Sequence, residues 1–538
     1  MRNTVGVHVR VAMLLGAAWA TAAPATDWPQ FGYDAAHSGF NRAEKGYSTA
    51  TGNRILFHYT LPNAADSAPI YLGNVSTASG TKNLLYIVTK NGTLLALDAD
   101  ATTMTTIWSK QPAGGGSLTT GSPVIDPGLQ YVYAYGLDGK VHKYQVGNGN
   151  ETTTTCATNS YNCWPEVSTL KPDVEKGAAA LSIAVTSGGT YLYSVMDGYI
   201  GDGGDYQGHI TTINLATGTQ NVFNSECSNL TIHFVKNGTT SGSGQNDCAS
   251  RQNGIWGRPG AIYDPGTNRV FISTGNGPYN ASSGGLNWGD SVLALNPDGT
   301  GSGSGMPVDS YTPSTFANLQ LTDADLGSNA IAIVPAPSGS TYANLGVIAG
   351  KDGCVRLIRL DNLSNASGSG GPGHTGGSLQ SIPLDSTSSA ANCDDTSTSG
   401  GSDAGSSGEI RSQPAVWVNP ADSSTWVYVT NRGATLAGYK VSVAGGIPSL
   451  SQQWTAASGT SPIVANGTVY YMSGSHMRAL DAVTGASIQT SGSPWLTTSY
   501  GGQHWQSPIL VNGKLYAVDD SSQLWAFALD GLFRNGFQ

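Results

Sequence analysis

The sequence predicts an all-β protein folded as a single eight-bladed β-propeller. Three observations carry this: a unit of roughly 40 to 55 residues recurs along the chain, each copy divides into about four short strands, and the composition is that of a turn-rich β protein. The unit opens on Ser-x-Pro or a close variant and continues as a β-rich strand. A turn and an aromatic-rich strand follow, then an Asn-Gly or Asp-Gly hairpin and a strand resembling ALDA.

Four copies are clear. The first is SAPIYLGNV, LLYIVTKNG and TLLALDADA over residues 67 to 101, and the second is GSPVIDPGLQYVYAYGLDGKVHKYQV over 121 to 146. The late pair is TSPIVANGTVYYMSGSHMRALDAVTG over 460 to 485 and QSPILVNGKLYAVDDSSQLWAFALDG over 506 to 531. Diverged copies near 178 to 218, 258 to 299, 328 to 361 and 411 to 443 bring the count to eight. The 72 Gly and 25 Pro, against 11% charged residues, suit many short strands joined by tight turns. Eight blades with insertions use the whole length, so one domain over 24–538 is expected where length alone would suggest three.

Gly92, Gly139 and Gly353 follow Asn or Asp, as type I′ hairpins prefer. The segment DWPQFGYDAAHSGFN (27 to 41) falls outside the repeats and is expected to supply a strand to the last blade, closing the ring and removing its open edges. The stretches 236 to 254 and 364 to 409 are rich in Gly, Ser and Asn and read as flexible surface insertions, each pinned by a cysteine.

At the N-terminus, Arg2 and Arg10 precede the apolar run VAMLLGAAWA and the small residues Ala20-Thr21-Ala22. This is the pattern of a secretory signal peptide, taken as residues 1–23, and it implies a secreted or periplasmic protein. No segment approaches the roughly 20 apolar residues of a membrane span. No cysteine precedes Cys156, so no lipid anchor is expected. Six cysteines suit an oxidising compartment, and their order suggests the pairs Cys156–Cys163, Cys227–Cys248 and Cys354–Cys393.

Several function classes are disfavoured. With 35 acidic and 25 basic residues and no Lys/Arg cluster, nucleic acid is not an expected partner. The absence of CxxCH argues against an attached c-type haem. None of HxH, HExxH or GxSxG occurs, so neither a histidine-bound metal nor a serine hydrolase is expected.

Four blocks follow one another along the middle of the chain: DGGDYQGHI, STGNG, DADLGSN and AGKDG. Together with the ALDA strand endings, the opening WPQFG (28 to 32) and GIWGRPGAIYDPGTNRVFISTGNGPYN (254 to 280), they resemble the quinoprotein β-propellers, which include dehydrogenases dependent on pyrroloquinoline quinone (PQQ). The resemblance implies a bound PQQ with calcium or a lanthanide. By motif it makes Asp205, Asn276 and Asp325 metal ligands together with Asp323, which doubles as the catalytic base, and it places Trp256, Arg258 and Lys351 against the quinone. The chemistry is coherent: hard cations take carboxylate and amide oxygens, and a positioned carboxylate can accept the proton of an alcohol. The sequence departs from the dehydrogenase pattern in having no two adjacent cysteines and an aspartate at position 205 where glutamate is usual. Trp256 also lies two residues further from Asp264-Pro265 than the family's tryptophan, with Arg258 nearer the aligned place.

Each site residue also has a plain structural reading. Asp323 and Asp325 precede a glycine as turn-forming aspartates do, Asn276 lies between glycines as left-handed turn residues do, and Lys351 belongs to a hairpin. Three functions follow for comparison. One is a quinone-dependent oxidation of a small alcohol or sugar hydroxyl with an external electron acceptor. Another is a quinone-free propeller that binds or cleaves polysaccharide near Tyr199, Trp288 and Trp505, and the last is a protein-interaction scaffold.

Overall fold

The structure is a computed structural model that describes residues 27–44, 53–100, 105–154, 163–237, 247–365, 371–474, 476–488, 495–496 and 505–529. The eight repeats become eight antiparallel sheets arranged as a propeller ring. The innermost strands of the blades are, in order, Ile70–Thr77, Val124–Ile125, Ser182–Thr186, Ile262–Asp264, Ala332–Pro335, Ala415–Val418, Ile463–Ala465 and Ile509–Val511.

The second strand of each blade is where the β-branched and aromatic runs fall, as in Gly80–Val88, Tyr131–Tyr135 and Thr468–Ser473. Residues 84 to 88 are buried at every position, with no alternation. This follows from the architecture, since each sheet has a neighbour on both faces and no solvated side to receive polar residues. The core is accordingly interleaved between blades: one cluster joins Leu97 of the first blade to Ile463 and Met472 of the seventh and Phe527 of the eighth.

Closure of the ring uses a different segment from the one expected. Asn53–Thr60 pairs antiparallel with Gln523–Leu529, with Thr60 opposite Gln523, and completes the last blade as its outer strand. The stretch from 27 to 41 instead runs around the inner rim. Trp28 bridges Tyr71 of blade 1, and the Pro29 carbonyl accepts from Ile125 of blade 2. Gln30 bonds Ile183 of blade 3, and the Ala35 carbonyl accepts from Tyr263 of blade 4. The Ser38 carbonyl accepts from Val416 of blade 6, Phe40–Asn41 pairs in parallel with Val464 and Ala465 of blade 7, and Asn41 Nδ2 donates to Leu510 O of blade 8. Inner strands expose their free edges toward the axis, and a segment that touches seven of the eight satisfies part of that edge and caps the central hole. Gly32, at φ 62°, makes the turn: a Cβ there would lie 2.8 Å from the backbone of His37.

The hairpin glycines are left-handed as expected, at φ 78° for Gly92, 81° for Gly139 and 74° for Gly353. Asn91, Asp138 and Asp352 before them are not, so these are not type I′ turns. Each is a β-turn closed by the glycine N–H, as in Gly92 N–H to Thr89 O at 2.8 Å, with the glycine in the left-handed position.

Cys227–Cys248 and Cys354–Cys393 are joined as expected. The third pairing involves Cys156, which lies outside the described residues, as does the expected signal peptide. The long insertion, where described, is not a loose surface loop: Asn392 Nδ2 donates to Asp352 O at 3.0 Å, and Ala404 N–H donates to Lys351 O at 3.0 Å. It braces the hairpin that carries Lys351. Among the described residues no helix is long and apolar enough to cross a membrane.

Candidate functional site

The register of the repeat determines what reaches the axis. The residue four positions before the innermost strand points inward in blade after blade: Asp66, Thr120, Ala178, Arg258, Arg411 and Trp505 all line one chamber of about 390 Å³. Loops after the second strands add Lys90, Ile200, Gly275, Asn276 and Lys351. The connections between blades add Trp256, Asp323 and Asp325. Six of the seven sequence-predicted residues therefore converge: Trp256, Arg258, Asn276, Asp323, Asp325 and Lys351.

Asp205 does not. Its backbone carbonyl accepts from Lys171 Nζ at 2.7 Å, and its carboxylate faces the same ammonium at 3.4 Å and Gln207 Nε2 at 3.1 Å, in a buried cluster away from the chamber. The reason is local. Tyr199 and Gly203 bridge to close a tight turn, which directs Asp202 and Tyr206 into the chamber and Asp205 the other way. Asp202 Oδ1 accepts the Tyr206 hydroxyl at 2.7 Å, and its Oδ2 lies 3.4 Å from Asn276 Nδ2. Asp202 is the carboxylate that the sequence reading missed, three positions from the one it chose.

Asp323 and Asp325 take different parts. Asp323 ends the short helix Phe316–Thr322 in a left-handed conformation, φ 56°, with its side chain 66% exposed at the chamber mouth. Asp325 is buried. Its Oδ1 accepts the Asn276 backbone N–H at 2.5 Å, and its Oδ2 lies 2.5 Å from Lys351 Nζ. Lys351 also reaches Asp323 Oδ2 at 3.2 Å, so one ammonium spans the deep and the exposed carboxylate. Burial pushes the Asp325 carboxyl up to about 6, against the opposing pull of Lys351. Burial alone would lower the Lys351 ammonium, but the two carboxylates outweigh it and hold it above its ordinary value. Asn276 is not a left-handed residue; in that turn Gly277 takes the positive φ, 152°, which leaves the asparagine in place for its amide.

The floor is aromatic and cationic. Trp256 and Trp505 lie 5.7 Å apart at 56°, Arg258 packs over Trp505 at 4.5 Å, and Arg411 does so at 5.1 Å. Arg258 is held by Asp66 at 2.7 Å and by Thr120 Oγ1 and Ala178 O, so it ties together four equivalent positions of the ring. Both guanidiniums keep a buried Nε–H with no partner. Five basic side chains of the lining, Lys90, Lys176, Arg258, Lys351 and Arg411, face five acidic ones, Asp66, Asp197, Asp202, Asp323 and Asp325. Asp197, whose carboxyl burial raises, is paired with Lys176 at 2.8 Å.

The expected metal ligands do not assemble into an ion cage. Asp205 lies elsewhere, both oxygens of Asp325 are engaged, and a hard cation would have to displace the Lys351 ammonium from between Asp323 and Asp325. Among the described residues no three His, Cys, Asp or Glu side chains are grouped as a metal site. Of the aromatics considered for glycan binding, Tyr199 and Trp505 line the chamber, whereas Trp288 is a fully buried core residue. Arg411 and Asp66 were missed although the repeat marks them, since each stands immediately before a Ser-x-Pro opening.

The ring, with its inward loops, matches solved structures along nearly its whole length. A europium-containing methanol dehydrogenase aligns over 93% of this chain and 98% of its own, with a TM-score of 0.60 and 13% identity. The fold is that of the quinoprotein alcohol dehydrogenases. A quinohaemoprotein alcohol dehydrogenase from Comamonas testosteroni matches this fold over 96% of the chain and 83% of its own, with a TM-score of 0.57 and 14% identity. One from Pseudomonas putida matches over 95% and 81%, with a TM-score of 0.58 and 13% identity. No protein-family model matches the chain, and no curated protein matches it in sequence.

Proposed function

We propose that this chain is an exported quinoprotein-type oxidoreductase that holds PQQ, a flat anionic quinone, in the axial chamber and oxidises a hydroxyl group on a small alcohol or sugar, passing the electrons to an external acceptor. The observation that carries this reading is the pair of guanidiniums, Arg258 and Arg411, packed on Trp505 beside Trp256 with their buried Nε–H groups unpartnered. A buried donor without an acceptor costs on the order of 1–3 kcal/mol, so two of them beside the indole rings suit a planar, oxygen-rich ligand. Trp256 would lie against its ring face, and Arg258, Arg411 and Lys351 would meet its oxygens. When bound, such a quinone supplies the two-electron acceptor that turns a hydroxyl-bearing carbon into a carbonyl.

The protein's own contribution is positioning and proton movement. Asp325 Oδ2 is the buried base that accepts the hydroxyl proton, with a proton affinity raised toward neutrality, where a general base is most effective. Lys351 holds that carboxylate in place and links it to Asp323, whose exposed carboxylate carries the proton to water. The inward-facing rim segment caps the axis, which favours entry from a single side and the exclusion of water. The donor set does not suit an ion, and no step here depends on one. The disulfides Cys227–Cys248 and Cys354–Cys393 suit an oxidising compartment.

The test is spectroscopic titration of the purified protein with PQQ, alone and with calcium or lanthanum, followed by dye reduction over a panel of alcohols and sugars. Saturable quinone binding that is lost in Arg411→Ala supports the reading. Absence of both binding and dye reduction refutes it.

A further inference from the structure

Next to the chamber, on the same face of the ring, lies a second open groove of about 540 Å³. The two share walls. Asn276 lines the chamber while the next residues, Gly277 to Tyr279, line the groove. The helix Phe316–Thr322 lines the groove with Phe316 and Gln320, and its terminal Asp323 lies in the chamber. A molecule lying in the groove is therefore one wall away from the Asp323–Lys351–Asp325 relay.

The groove offers a particular chemistry. Tyr279 and Phe316 set their rings 4.6 Å apart at 59°, and both are only half-buried. The Tyr279 hydroxyl is already committed to Gly373 O at 3.2 Å, so its ring presents apolar surface rather than a polar tip. Around the rings are planar polar groups. Gln320 Oε1 is buried without a partner, and Arg251 is exposed along the groove. Gln252 is held at φ 96° by backbone bonds to Tyr206 O and from Gly208 N–H, a left-handed conformation that fixes its side chain at the groove wall. Apolar ring faces bordered by amide and guanidinium donors match a pyranose, which has an apolar C–H face and a rim of hydroxyls. The open shape suits a chain rather than a single enclosed molecule.

We propose that this groove is a carbohydrate-binding subsite, holding sugar units of an oligosaccharide whose terminal hydroxyl reaches the adjoining chamber. This rests on the oxidoreductase reading for the fate of that hydroxyl, but the binding itself does not depend on it. The Cys227–Cys248 disulfide bounds the segment that delivers Arg251 and Gln252, which gives a structural use to one of the two insertions.

The experiment is calorimetric titration of the full chain, with and without PQQ, using cellohexaose, xylohexaose and hexagalacturonate as probes. At least one is expected to bind, and Phe316→Ala and Arg251→Gln should each weaken it about tenfold, the scale of one lost ring or charge-assisted contact. Dye reduction with a short alcohol should be unchanged in both variants. If none of the probes binds, or if binding survives both substitutions undiminished, the subsite is overturned. Oligosaccharide binding without quinone binding would leave the subsite standing and sink the oxidoreductase reading; quinone-dependent dye reduction without oligosaccharide binding would do the reverse.

Discussion

Replacing Lys351 by methionine isolates the electrostatics of the site. Methionine retains most of the aliphatic volume and removes the ammonium that lies 2.5 Å from Asp325 Oδ2 and 3.2 Å from Asp323 Oδ2. At the shorter distance the gross attraction is about 7 kcal/mol with an effective dielectric of 20. Most of this offsets the desolvation of both groups. What the substitution exposes is the cost of an uncompensated buried carboxylate, about 3–5 kcal/mol.

The sign of the pH dependence follows from Asp325. Its folded-state affinity for a proton, with the carboxyl at about 6 against an ordinary 3.8, means that it contributes stability below the lower value and loses it as pH rises through the upper one. Without the ammonium the proton is held more tightly still, so the loss extends above pH 6. Equilibrium urea unfolding should therefore show Lys351→Met destabilised by about 3–5 kcal/mol at about pH 8 and by much less at about pH 4, where Asp325 carries its proton. Lys351→Met combined with Asp325→Asn should recover most of the loss. An equal penalty at both pH values, or one below about 1 kcal/mol at the higher pH, would refute the assignment of Asp325 as a buried carboxylate that depends on Lys351.

Other outcomes follow from the same geometry. Dye reduction should rise with pH through about 6 as Asp325 ionises, and Asp325→Asn should flatten that limb of the profile while leaving quinone affinity within a few-fold. Gly254→Ala would place a Cβ 1.9 Å from Asp197 Oδ1; the side chain must leave Lys176, and thermal unfolding should show a loss of about 1–3 kcal/mol together with weakened quinone binding. Cys354→Ser with Cys393→Ser opens a loop of 39 residues, so a loss of about 4 kcal/mol is expected from chain entropy, with a fall in dye reduction larger than for Cys227→Ser with Cys248→Ser because the first pair tethers the Lys351 hairpin. Deleting the stretch 27 to 41 uncaps the axis, and limited proteolysis should then cut near the inner strands without first releasing the strand 53 to 60.

Much of the candidate site is legible because the propeller repeats. Asp323, Asp325, Asn276 and Lys351 stand in loops and connections that reach the axial chamber, and short motifs suffice to find them. Asp202 was not found because sequence order does not say which residue of GDGGDYQG faces inward; a bridge between Tyr199 and Gly203 decides it. Arg411 was overlooked for a different reason. The signal was present in its place before Ser412-Gln413-Pro414, but no single blade shows what that place is for until Arg258 and Trp505 are seen to occupy it too. The insertion 364 to 409 read as a flexible surface loop from its glycine and serine content, which says nothing about the hydrogen bonds it makes to the carbonyls of Asp352 and Lys351.

The sequence by itself determined the number of blades and the short-strand, tight-turn content of each, since these depend on local hydrophobic patterning and turn chemistry that recur eight times over. Tertiary structure alone decided which N-terminal segment closes the last sheet and which caps the axis, which carboxylate faces the chamber, and that an ammonium rather than an open cage lies between Asp323 and Asp325. Those outcomes depend on contacts between residues hundreds of positions apart, such as Thr60 with Gln523 or Arg258 with Asp66, where the competing pairings differ by a few hydrogen bonds and no local pattern distinguishes them.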